Sequence, residues 1–113
     1  MRIEIRARNT AVTDAIREHV DEHFRKVAKQ VPESVLVDLE LLEERNPAIA
    51  DGKIAEATLN LNGTTLRVKE ASPDLMHSID LCADKMTRQV KRHLDKRRSR
   101  RDQPGIGGLI EPA

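Results

Sequence analysis

Apolar and polar residues alternate over residues 2–7, with Ile3, Ile5 and Ala7 on one side, and this period of two predicts a half-buried strand. The period then lengthens. Ile16, Val20, Phe24, Val27 and Val31 recur every three or four residues, the apolar stripe of a helix. Thr13 is its expected N-cap, Asp14 and Glu18 suit its positive end, and Pro32 stops it by holding Val31 out of the helical region. Val35, Val37, Leu39 and Leu41 return to alternation and predict a second strand. Residues 43–53 form a polar connection with turn signals at Asn46-Pro47 and Asp51-Gly52. Ala55, Ala57, Leu59 and Leu61 line one side of a third strand. It runs into Asn62-Gly63, a pair that tolerates positive φ and predicts a tight hairpin to a fourth strand over residues 64–71. Ser72-Pro73-Asp74 offers an N-cap, a proline at the first helical position and an acid. The helix it opens has a stripe of Leu75, Ile79, Cys82, Met86, Val90 and Leu94. Beyond Leu94 the stripe is taken by Arg97 and Arg101, so this helix is expected to outrun the core as a basic rod.

The order is β-α-β-β-β-α. Each strand has one apolar face and each helix one apolar stripe, so the expected fold is α+β: a four-stranded mixed sheet with two helices packed on one face. The first two strands flank a helix and are expected to be parallel, the other neighbours antiparallel. From the first helix onward the order α-β-β-β-α is that of double-stranded-RNA-binding domains, an analogy of fold only. Residues 1–101 are expected to form one domain. Residues 102–113, rich in Gly and Pro, read as a flexible tail or the start of a linker.

Composition narrows the class. A chain of 113 residues with 38% hydrophobic content supports one core. Phe24 is the single aromatic residue, so the stacked aromatics that grip unpaired bases are lacking. Cys82 stands alone, which excludes an intramolecular disulfide and a cysteine-based zinc site. No apolar run approaches the ~18 residues of a membrane span, and a cytoplasmic protein without membrane attachment is expected.

The net charge of +1 conceals an asymmetry. Residues 85–101 hold nine basic residues and one acid, Asp95, for a sum of +8, which leaves −7 for the rest. Such concentration points to a polyanionic partner. Lys85, Arg88, Arg92 and Lys96 fall within about 80° of one another on a helical wheel, roughly 135° from the apolar stripe. They form a ridge about 17 Å long that can address several phosphates. A solvated helix end favoured by the macrodipole explains cations in the last turn, but not a ridge reaching back to Lys85. Lys91, Arg97, Arg100 and Arg101 are further candidates for RNA contact. A general duplex-RNA module, or a module docking an acidic protein through the basic helix, stand as alternatives.

Catalytic chemistry finds little support. His19 and His23 are four apart around Glu22, but the metalloprotease pattern needs Glu directly after the first His and the sequence offers no evident third ligand. Asp80 and Asp84, one turn apart, read as helix-surface acids, and Cys82 as core. The expectation is a non-enzymatic protein without cofactor or metal.

Several segments together are familiar. Asp74-Leu75-Met76-His77-Ser78-Ile79-Asp80, then Asp84-Lys85, Arg88-Gln89-Val90, Arg92 and Asp95-Lys96, resemble the last helix of the ribosome hibernation promoting factors, the family that includes protein Y. Arg8-Asn9, Val12-Thr13, Asn46-Pro47, Ile54-Ala55-Glu56-Ala57-Thr58 and Asn62-Gly63 also fit, so the resemblance spans residues 1–101. It implies the same fold, and binding to the small ribosomal subunit and its 16S rRNA near the decoding centre. There such a protein overlaps the mRNA and tRNA positions, inhibits translation in stationary or stressed cells and protects idle ribosomes. The family's basic positions match Lys85, Arg88, Arg92, Lys96 and Lys26. His23 departs from the pattern by standing where lysine is common, and Leu75-Met76 by replacing Met-Tyr. In the family, ribosome dimerisation proceeds through a C-terminal domain. The chain is expected to be either a short form or the front of a long one, and in neither does that domain lie within these residues.

Overall fold

Each period-two segment pairs into one sheet and each longer-period segment coils. The computed structural model describes residues 1–102, with side chains through Arg97; of the expected tail over residues 102–113, Asp102 still belongs to the last helix and residues 103–113 lie outside the described residues. The elements are β1 (Arg2–Arg8), α1 (Asp14–His23), α2 (Arg25–Ala28), β2 (Leu36–Glu43), β3 (Lys53–Leu61), β4 (Thr64–Ser72) and α3 (Leu75–Asp102). Strand order is β1-β2-β3-β4, with β1 parallel to β2 and the other pairs antiparallel.

Register explains the layering. Ile5 pairs with Leu39, Leu39 with Ala57 and Ala57 with Val68, an apolar row across the sheet. The next row, Arg6, Glu40, Glu56 and Lys69, points to the other face because side chains alternate along a strand. Only the first face is covered. Ile16, Val20, Phe24 and Val27 of the first helical segment and Ile79, Cys82, Ala83, Met86 and Val90 of α3 join the strand residues in one cluster. The α+β fold with both helical segments on one side of a mixed sheet is thus as expected. Burial pushes the Cys82 thiol up to about 12, and its Sγ lies 3.7 Å from the Val68 carbonyl, the position of a core side chain.

The first helical segment is interrupted rather than continuous to Val31, which gives three helices instead of two. Phe24 (φ −85°, ψ 2°) divides α1 from α2 while its N–H still donates to Val20 O at 2.9 Å and its carbonyl accepts from Ala28 N at 3.0 Å. Its ring is fully buried, so the backbone bends where the one aromatic enters the core. The start of α3 also differs. Ser72 ends β4, and Asp74 caps the helix, its Oδ1 accepting from Met76 N at 3.3 Å. Ser72 instead sits 2.7 Å from the Ser78 hydroxyl, which donates to the Lys53 carbonyl at 2.6 Å and ties α3 to β3. The hairpin is as expected, with Asn62 at φ 56° and Gly63 at φ 82°.

Glu43 clamps three segments at the end of β2. Its carboxylate accepts from Lys53 Nζ of β3 at 2.5 Å and from Thr10 Oγ1 at 2.7 Å, beside the left-handed Asn9. The hydrogen bond from Lys53, then that from Thr10, hold its carboxyl below the ordinary value of 4.5. A depressed folded value means the clamp stabilises at neutral pH and is lost as pH falls through that value. Urea unfolding of wild type and Glu43→Gln should therefore differ at pH 7, and the gap should close below pH 4.5. A gap constant down to pH 3 would show that ionised Glu43 contributes nothing.

Candidate nucleic-acid interface

α3 is long enough to carry cations past the core. Among the residues of α3 whose side chains are described, Val90 is the last fully buried one, while the backbone stays helical to Asp102, about 18 Å further on. Lys85, Arg88, Lys91, Arg92, Lys96 and Arg97 are all exposed. The side chains of Arg100 and Arg101 lie outside the described residues, although the helix passes through both positions.

The ridge is not uniform. Lys85 Nζ lies 2.9 Å from Glu70 Oε2 on β4, so its charge is engaged within the fold. Arg88, Arg92 and Lys96 make no ion pair among the described residues. Lys91 lies on a different flank, one turn beyond Thr87. That flank faces α2, because Gln30 Nε2 donates to the carbonyls of both Lys26 and Thr87 at 3.4 Å. Lys26 is thereby carried beside α3. Arg25 and Lys29, on either side of it, are also exposed and unpaired among the described residues. Sequence reasoning passed over these two. The signal was the cluster Arg25-Lys26-Val27-Ala28-Lys29, whose three charges surround one buried valine.

The β1 edge of the uncovered sheet face is built on the opposite plan. Arg2 lies 3.9 Å from Glu4, Arg6 3.8 Å from Asp38 and Arg8 3.1 Å from Glu40. Cations of β1 are therefore ion-paired, whereas those of α2 and the distal ridge make no ion pair among the described residues. Clustered like charges repel one another, and a polyanion laid along them relieves that repulsion.

The histidines divide. His77 is exposed, and His93 is half-buried with an Nε2 that lacks a hydrogen-bond partner. His19 and His23 both reach Asp80 of α3, so the third donor that the local sequence did not offer is supplied by the fold. No helix among the described residues is long and apolar enough to cross a membrane.

Comparison with known proteins fits this geometry. Residues 3–98 match the family described as Sigma 54 modulation protein / S30EA ribosomal protein. The chain is 36% identical over 97 residues to a ribosome hibernation promotion factor of Picosynechococcus sp., covering 85% of this chain and 50% of that protein. It is 32% identical over 96 residues to the ribosome hibernation promoting factor of Salmonella typhimurium, covering 85% and 96%. The chain thus spans about half of the first relative and nearly all of the second. The N-terminal domain of Thermus thermophilus Protein Y superposes with a TM-score of 0.70 at 29% identity, over 82% of this chain and 99% of that one.

Proposed function

Because the chain belongs to the Sigma 54 modulation protein / S30EA ribosomal protein family, we propose that it is a ribosome hibernation factor that holds the small subunit through 16S rRNA near the decoding centre. The observation that carries this reading is the contrast between the ion-paired cations of β1 and the unpaired ones gathered on α2 and the distal part of α3. The names of the Picosynechococcus and Salmonella relatives supply the ribosome as the partner.

Arg88, Arg92 and Lys96 grip phosphates along one side of α3, with Arg97, Arg100 and Arg101 extending the line. Lys26 and Lys91, with Arg25 and Lys29, meet the RNA on the other flank. Lys85 contributes less, since a phosphate must first displace Glu70. With one aromatic, and that one buried, recognition rests on backbone charge and shape rather than base stacking. The action is steric and needs no catalysis: the domain occupies the path of mRNA and tRNA, so translation stops and the idle ribosome is preserved. Acting there makes it a cytoplasmic protein. Pairing of ribosomes into dimers is not assigned to these residues.

Competition tests the steric element. Small subunits preloaded with mRNA and P-site tRNA should take up the chain at least about tenfold more weakly than empty ones, because every shared phosphate is lost. Equal binding to both would place the chain elsewhere on the ribosome.

A further inference from the structure

His19 and His23 stand one turn apart on α1, and Asp80 of α3 meets them from 61 residues away in sequence. Asp80 Oδ1 is 2.5 Å from His19 Nε2 and 3.3 Å from His23 Nε2, and the two imidazole centroids are 4.2 Å apart. The three donor atoms all lie within 4.8 Å of one another. Their side chains are 24%, 34% and 35% exposed, so the cluster is partly packed and partly reached by water.

We propose that His19, His23 and Asp80 bind a divalent transition-metal ion of the Zn²⁺ class. Two imidazole nitrogens and a carboxylate oxygen are the donor set of a four-coordinate zinc site with water in the last position. Bonds of about 2.0–2.1 Å in a tetrahedron put neighbouring donors roughly 3.4 Å apart. The His23–Asp80 edge already has that length. The His19–Asp80 edge must open by a little under about 1 Å, which a rotation of half-exposed side chains supplies as the metal replaces the proton shared between them. Mg²⁺ and Ca²⁺ fit poorly, since they take six or more oxygen ligands. The thiol of Cys82 is buried in the core and outside the cluster. With ligands on both helices, the ion favours the folded chain and fastens α1 to α3. Asp80 lies about 80° around α3 and roughly 12 Å along it from Arg88, so the metal leaves the Arg88, Arg92 and Lys96 side clear.

The test uses the untagged chain, treated with chelator and titrated with Co²⁺ and then Zn²⁺. One equivalent of Co²⁺ should give the visible absorption of a tetrahedral site, and Zn²⁺ should abolish it. Zn²⁺ at about 100 times its Kd should raise Tm by roughly 10 °C or more through its preference for the folded state. His19→Gln, His23→Gln and Asp80→Asn should each weaken Zn²⁺ binding at least tenfold, since loss of even a group that only orients a ligand costs about that much. His77→Gln, on the same helix as Asp80 but outside the cluster, should leave it unchanged. Absence of one-to-one binding to the wild type below about 100 μM Zn²⁺ would overturn the proposal. So would a Zn²⁺-induced Tm shift that persists in the His19→Gln/His23→Gln double variant.

Discussion

Reversing both Arg88→Glu and Arg92→Glu should weaken binding to the small ribosomal subunit by about a thousandfold or more while leaving Tm within a few degrees of wild type. Each arginine contributes a charge-assisted contact of about 1.5–3 kcal/mol, and the pair together accounts for that factor before the new repulsion is counted. The fold has little stake in either residue. Both are exposed, and neither forms an ion pair among the described residues. Reversed together they remain a like-charged pair at i,i+4, gain Lys85 and Lys96 as neighbours of opposite sign and face Asp84 and Asp95 as like charges, exposed contributions of a few tenths of a kcal/mol each that largely cancel. Sedimentation with purified small subunits reads the binding and a thermal melt reads the fold. A collapse of Tm would make the two arginines structural, and unchanged binding would remove the ridge from the interface.

Phe24→Ala should have the largest effect on stability. Phe24 is fully buried at the joint between α1 and α2, and as the chain's one aromatic it has no neighbour of similar size to fill the space it leaves. Truncating a core phenylalanine costs about 3–5 kcal/mol, a large share of the roughly 5–15 kcal/mol that keeps a domain folded. For a domain of this size Tm should fall on the order of 20 °C. Phe24→Leu keeps most of the volume and should cost only about 1 kcal/mol. The truncation also loosens the joint that holds Lys26 beside α3, so ribosome binding should weaken in step with stability. A Tm within a few degrees of wild type in Phe24→Ala would mean that the helices close over the site without the ring.

Strand pairing and layer order were legible because each strand exposes one face and buries the other. Val37, Leu39 and Leu41 cannot be inverted without driving Asp38 and Glu40 into the core. The Asn62-Gly63 turn was legible because its chemistry is local. What escaped the sequence depends on partners that arrive through the fold. The bend at Phe24 follows from where the sheet and α3 receive its ring, and Ser72 is drawn from capping α3 by Ser78 and the end of β4. The cationic ridge was visible as spacing, but Glu70 becomes a partner of Lys85 only once β4 lies alongside α3. The third member of the His19 and His23 cluster was hidden for the same reason, being 61 residues away on another helix.

The central claim is that cations of α2 and α3 hold the small subunit by its RNA backbone. It is tested most directly by the dissociation constant of the chain and purified small subunits across a salt series, with excess duplex RNA present. Six or so phosphate contacts should make log affinity fall with log salt at a slope of roughly −4 to −5, and Arg88→Glu/Arg92→Glu should flatten it by about 1.5. Duplex RNA should fail to displace the chain. Binding indifferent to salt, or lost equally to any duplex, would contradict the claim.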